Sequence, residues 1–341
     1  MLTVAGMVAL GGLLRHLDLD GVKKLSGSAR LLAVAILVPN TLTFFLDTLA
    51  WSSCFPADTR PSFGRVLVVR TGGEALTNSL PGGVVVGEVW KLAALARLAP
   101  ETPRNVALGS LALAKLALAS SQVVFVIVGL ALGARALARG GTSLLPLVLT
   151  VLAFFGFFFV PVTLIRRYFL ARAGFPPSAP ADDASALGRA KAKTLGVIYV
   201  LAEEIARAWR ERRGEVGRAF GLSFVGWIIG SLETWLALRA LGVHVGADEA
   251  IAIESLGTIF RMVFFLAPGG IGAQDWGLTA LLTLFGVPDP LVAGAGFAVV
   301  KRAREIVWIG IGLGIVGVLA ATRREEARES DPVSEEGPRD G

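Results

Sequence analysis

The chain has 341 residues, 54% of them hydrophobic and only 18% charged, and its mean hydropathy is +0.65. Soluble domains carry about a quarter charged residues, and the apolar runs here exceed the ~18–20 residues that cross a bilayer as a helix, so composition excludes a soluble globular protein. The formal net charge of +6 sits in loops between apolar runs, which suits loops facing cytoplasm and anionic lipid and excludes nucleic acid as a partner.

In chain order, membrane helices are predicted over 2–14, 30–54, 105–132, 143–166, 219–241 and 290–321. The apolar N-terminus lacks a basic leading stretch and a small-x-small cleavage site, so it reads as a short first membrane helix rather than a signal peptide. Two further apolar stretches, 63–95 and 249–287, are each interrupted by Pro-Gly-Gly: Pro81-Gly82-Gly83 and Pro268-Gly269-Gly270. In each, an acid stands seven residues after the proline (Glu88, Asp275) with a tryptophan close behind (Trp90, Trp276). Such a sequence stops a helix, and a helix stopped at bilayer depth survives only where protein or a water-filled cavity satisfies the freed backbone groups. Two matching breaks in two halves of a chain point to a transporter-like site built from a repeat. Segment 171–218 reads as a cytoplasmic connector with an amphipathic helix from Lys191 to Arg213, and 322–341 as a disordered cytoplasmic tail.

Lys/Arg asymmetry places the connector and 97–104 inside, with 133–142 and His244 to Glu249 outside. The first broken element then enters from the cytoplasm and the second from outside. Loop 15–30 disagrees, because it falls outside yet carries Arg15, Lys23, Lys24 and Arg30. The expected fold is therefore an all-α polytopic membrane protein: about six full transmembrane helices plus two broken, re-entrant helical elements in inverted repeat, spanning 1–321.

Ionisable residues inside apolar segments are costly and mark a pathway or a paired structural site. The first element carries Arg70, Glu74, Asn78, Glu88 and Lys91; the second carries Glu254, Arg261, Gln274 and Asp275. Arg70 with Glu74, and Glu88 with Lys91, have spacings that allow local pairing on a helix, which is the plain structural account. Glycines at a helix start expose N–H groups that bind an anion, and Gly82, Gly83, Gly87 and Gly269, Gly270, Gly272 hold such places. Glu88 and Asp275 either cap their half-helices or bind a cationic headgroup or coupling proton. On the last helix, Lys301, Arg302, Arg304 and Glu305 fall near the middle, so Arg302 or Arg304 is expected to turn to an internal, basic cavity; alternatively the helix begins near Val299 and the cluster sits at the headgroups. Glu233 needs a partner, and Arg239 snorkels to the surface.

The stretch Asn78-x-x-Pro81-Gly82-Gly83-x-x-x-Gly87-Glu88 resembles the N-x-x-P-G-x-x-G-E element of the flippase-like membrane family. That family includes the transmembrane region of lysylphosphatidylglycerol synthases and UPF0104-like proteins. Pro268-Gly269-Gly270-Ile271-Gly272-Ala273-Gln274-Asp275 resembles its second signature, P-G-G-x-G-x-R/Q-E/D. The first motif here has one or two extra residues before Gly87-Glu88. Gln274 and Asp275 replace the usual arginine and glutamate, as in the branch associated with hopanoid-producing bacteria. The resemblance implies a lipid transporter in the bacterial inner (plasma) membrane, moving a lipid with a phosphate-bearing headgroup, without the soluble aminoacyl-transferase domain.

The headgroup-binding set expected from these readings is Asn78, Pro81, Gly82, Gly83, Gly87, Glu88, Arg261, Pro268, Gly269, Gly270, Gly272, Gln274, Asp275, Arg302 and Arg304. Asn78 is assigned to satisfying opened backbone. The single cysteine, Cys54, excludes an intramolecular disulfide, and His16 and His244 are far apart, so no metal, cofactor or catalytic residue is expected. No G-x-x-x-x-G-K-S/T motif is present, so movement would be passive or ion-coupled. The partners expected are a membrane lipid and a lipid-modifying enzyme. The rival readings are a scaffold docking a partner through the connector, and a membrane-embedded lipid-modifying enzyme using Glu88 or Asp275 as base.

Overall fold

The computed structural model describes residues 29–80, 83–139, 211–263 and 273–329, with isolated positions between 145 and 207. Within them lie helices α1 (Ala29–Ser53), α2 (Phe63–Ser79), α3 (Gly83–Leu98), α4 (Arg104–Arg139), α5 (Arg213–Ala240), α6 (Ala247–Val263), α7 (Ala273–Leu284) and α8 (Pro290–Glu329). Three of these, in α4, α5 and α8, are long and apolar enough to cross a bilayer. The expected helix 2–14, most of 143–166 and most of the connector lie outside the described residues. Each broken element is a helical hairpin, α2–α3 and α6–α7, as the Pro-Gly-Gly interruptions require. At the first break Leu80 is extended and the Gly83 N–H donates to the Leu80 carbonyl at 2.9 Å. Pro81 and Gly82, and residues 264–272 with Pro268, Gly269, Gly270 and Gly272, lie outside the described residues.

The two hairpins hang from opposite ends of α8. Its N-terminal end follows the α6–α7 base after a short turn whose Asp289 has a φ of 47°. Towards its C-terminal end, Arg97 of the α2–α3 base donates to the Leu319 carbonyl (2.6 Å), Thr322 (3.0 Å) and Glu326 (2.7 Å). α8 continues as a helix through Glu329, so residues 322–329 of the expected disordered tail are helical; residues 330–341 lie outside the described residues. Other loops assemble on the same side as the Arg97 end. Arg212 donates to the Cys54 carbonyl at 2.9 Å, Thr102 to the Thr59 carbonyl at 2.9 Å, and Arg65 pairs with Glu101. The inverted arrangement expected from loop charge is thus present in the helix packing.

The repeat is deeper than its motif. Pro268 follows Pro81 by 187 residues, and that same shift carries α1 to α4 onto α5 to α8 within a few residues at nearly every boundary. It also carries Trp51, Val66 and Leu95, in the core at the first hairpin's base, onto Leu238, Ile253 and Leu282 in the core at the second's. Among the described residues each half is therefore a four-helix unit: a long helix, a hairpin and a second long helix.

Glycines set the close approaches. A side chain at Gly72 would overlap the Trp90 indole, and one at Gly73 the aliphatic stem of Lys91, so α3 lies against α2 only because those positions are bare. Gly312 likewise lets α8 cross α2, where a Cβ would strike Ala75 and the Thr71 carbonyl. Without water between helices to expel, such small-residue contacts supply much of the association in a bilayer.

Two outcomes test this architecture. Gly312→Val is expected to lower the thermal unfolding midpoint in detergent, by the ~1–3 kcal/mol typical of overpacking, whereas Gly310→Val on the exposed side of α8 leaves it within error. Asp58→Cys and His244→Cys, both exposed, should react with an impermeant maleimide from opposite sides of a sealed vesicle. Native Cys54, 2% exposed, should stay silent. Labelling of both from one side would refute the inverted arrangement.

Candidate functional site

Beside the first hairpin lies a cavity of about 250 Å³. Three helices and the hairpin line it: Asp47 and Trp51 from α1, Arg70 and Glu74 from α2, Lys91 from α3, Lys115 from α4 and Trp227 from α5. The local pattern explains the placement. Arg70 and Glu74 are one turn apart on α2, and the bare Gly73 lets the Lys91 stem pass across to Glu74. The two indoles are held by donating to serines on α4, Trp51 to Ser110 and Trp227 to Ser121, each at 3.2 Å.

The charges form a pair, Asp47 with Arg70, and a chain, Glu74–Lys91–Glu88–Lys115. Arg70 donates to Asp47 at 2.7 Å and lies over the Phe44 ring at 4.7 Å. Lys91, 2% exposed, joins Glu74 (2.6 Å) to Glu88 (3.0 Å), and Lys115 reaches Glu88 from α4 at 2.7 Å. The expected Glu88–Lys91 pair is present. The expected Arg70–Glu74 pair is not, because each finds a better-placed partner on a neighbouring helix. Glu88 is the sixth residue of α3 and so too far along to cap it. Lys115 is 46% exposed while lining the cavity, which marks the mouth. Its neighbour Leu116 and the α3 residues Val84, Val85, Val86 and Val89 are exposed and apolar.

The second half places its acids differently. Asp275, in the first turn of α7, is 1% exposed and accepts both Arg302 Nη2 contacts, at 3.1 and 3.0 Å. Its carboxylate therefore faces α8. Arg302 also pairs with Glu305. Arg304 binds both oxygens of Glu233 at 2.6 and 2.5 Å, which supplies the partner that Glu233 needed. Lys301 donates to Glu254 at 3.2 Å, and Thr234 to the same oxygen at 2.5 Å. The last helix does start at Pro290, so the cluster lies inside it. The α8 cations pair with carboxylates of α5, α6 and α7; the expected basic cavity borders residues 264–272, which lie outside the described residues. Arg239 lies over the Trp235 ring at 5.2 Å.

Both halves pin the acid after the break to the cation 27 residues further on, Glu88 to Lys115 and Asp275 to Arg302. Lys115 and Asp47 were not singled out from sequence. The equal spacing, and the solitary charge each places in an apolar run, are the signals that find them. Of the remaining expected residues, Gln274 is buried near Asp275. Asn78 donates to the Glu74 carbonyl of its own helix at 2.8 Å, and Pro81 and Gly82, whose backbone it was assigned, lie outside the described residues. Gly83 and Gly87 pack against Thr77 and its neighbours on α2, and the Gly83 N–H is already engaged by Leu80. The backbone of Arg261 is in the last turn of α6; its side chain lies outside the described residues. No His/Cys/Asp/Glu cluster suited to a metal occurs among the described residues.

Comparison with known proteins agrees with this architecture. The family described as the lysylphosphatidylglycerol synthase TM region matches residues 1–320. A UPF0104 membrane protein of Methanothermobacter thermautotrophicus is 31% identical over 101 residues, which are 30% of this chain and 29% of that protein. The similarity to that relative thus spans under a third of its length. No solved structure matches. With its motifs, two hairpins and apolar helices matched over residues 1–320, the chain belongs to the lysylphosphatidylglycerol synthase transmembrane-region family of integral membrane proteins.

Proposed function

We propose that this protein moves a lipid with a phosphate-bearing headgroup between the leaflets of a bacterial inner (plasma) membrane, or delivers it to a lipid-modifying enzyme. The observation that carries the reading is the charged cavity beside the first hairpin, walled by Asp47, Arg70, Glu74, Lys91 and Lys115 among otherwise apolar helices. A membrane protein retains so many intramembrane charges where something polar has to pass. The cavity is of headgroup size, and the exposed valines of α3 beside its mouth offer acyl chains an apolar surface. The family membership favours the same reading.

In this proposal the two tip acids act as matched latches. Glu88 holds the first hairpin to α4 through Lys115, and Asp275 holds the second to α8 through Arg302. Opposed hairpins latched at equivalent positions give two related closures, one for each side of the membrane, and releasing one while keeping the other exposes the headgroup path to one side at a time. No covalent step is assigned to any residue, so the protein acts as a carrier and not as an enzyme.

Proteoliposomes holding a fluorescent phospholipid, bleached from outside by dithionite, report leaflet exchange. Glu88→Gln and Asp275→Asn are each expected to slow exchange at least about tenfold, the effect of ~1.4 kcal/mol on a barrier. Val318→Ala, on the exposed face of α8, should match wild type. A double variant Glu88→Gln/Asp275→Asn that exchanges lipid at the wild-type rate would sink the proposal.

A further inference from the structure

Lys115 stands where a membrane protein seldom keeps a charge. It is the twelfth residue of α4 (Arg104–Arg139), about 17 Å along that helix at 1.5 Å per residue and so near the middle of a bilayer core. Its side chain is 46% exposed, and its neighbour Leu116 is exposed too. The ammonium does not snorkel to the membrane surface, because Glu88 holds it at depth at 2.7 Å. The repeat does not force this exposure. The matching pair in the second half is Asp275 with Arg302, whose side chains are 2% and 15% exposed, against 22% and 46% for Glu88 and Lys115. On α3, Val85 and Val89 stand one turn apart beside Glu88, and both are exposed. Lys115 therefore reaches the surface among apolar side chains while also lining the cavity behind them.

From this placement we infer that lipid enters the cavity sideways from the bilayer, between α3 and α4, and that Lys115 receives its phosphate in exchange for Glu88. The inference rests on the lipid reading above and adds the route. A charge exposed at bilayer depth is costly and marks a pathway. A phospholipid suits this surface because its acyl chains meet Val85, Val89 and Leu116 while its anion meets the ammonium. The exchange leaves no ion without a partner. Glu88 holds two cations, so when Lys115 turns to the phosphate, Glu88 keeps Lys91 at 3.0 Å and Lys91 keeps Glu74 at 2.6 Å. A buried ion stripped of its last partner, the outcome that makes such sets expensive to open, does not arise.

A bimane fluorophore at Leu116→Cys and a phospholipid with a nitroxide on its headgroup, tempo-phosphatidylcholine, read whether a headgroup reaches this depth. Protein with Cys54 alone supplies the blank. Ile311→Cys on α8 is the control: it is exposed, and its neighbour Gly312 abuts Ala75 beside Glu74, which sets it at a similar depth. In proteoliposomes, quenching at Leu116→Cys is expected to half-saturate at about a tenfold lower lipid fraction than at Ile311→Cys. Lys115→Gln should abolish the difference and Lys115→Arg retain it; both leave Glu88 its Lys91 contact. Equal quenching at the two positions with Lys115 in place would overturn lateral entry, and a difference that survives Lys115→Gln would overturn the role given to that lysine. Dithionite bleaching of the same vesicles separates the two readings. Leaflet exchange with equal quenching overturns the route alone, whereas no exchange by the wild-type chain overturns the lipid reading itself. Glycerol phosphate in the buffer is the last arm. Unchanged quenching supports a lipid occupant, and relief of the quenching at Leu116→Cys would mean a site filled from water and refute the lateral route.

Discussion

A charge held between helices at bilayer depth has to be answered by another charge, and most of this structure follows from how that is done. Lys91 is the clearest case. Its ammonium is almost fully buried between Glu74 and Glu88, and removing one member of such a set leaves an uncompensated ion, at about 3–5 kcal/mol. The hairpin therefore cannot separate without a substitute for those contacts. The same rule fixes α8, whose three consecutive cations each reach a different helix: α6 through Glu254, α7 through Asp275 and α5 through Glu233.

Close packing makes the pairing geometrically available. Bare backbone at Gly72 and Gly73 brings α3 in far enough for the Lys91 stem and the Trp90 ring to lie directly on α2. Gly312 does the same where α8 crosses α2. Helix breaks, glycine seams and ion pairs are thus parts of one solution: the break turns the chain at depth, the seam brings the arms together, and the charges lock them.

The repeat explains why the two halves look alike and behave differently. The common four-helix unit keeps the hairpin, the three matched core residues and the acid-to-cation spacing. The details around it diverge. Where the first half has Asp47, Arg70 and Glu74 around an open space, the same shift puts Thr234, Gly257 and Arg261 in the second, and the nearby Glu233, Glu254 and Asp275 pair with cations of α8.

The sequence alone determined the membrane class, the described helices to within a few residues at most ends, the two Pro-Gly-Gly hairpins and the Glu88–Lys91 pair, because all of these depend on apolar run length, on helix breakers and on neighbours three or four residues apart. It also determined the opposed entry of the hairpins, since loop charge registers which side each base occupies. What only the tertiary structure decided is where the long-range charges go. Arg70 leaves its neighbour Glu74 for Asp47, Glu88 finds Lys115, and Arg304 crosses 71 residues of sequence to Glu233. Local spacing ranks partners by separation along the chain, whereas at low dielectric an ion takes whichever opposite charge the packing brings within hydrogen-bond reach. That choice set the α8 cations against carboxylates of three other helices and put a charged cavity beside the first hairpin.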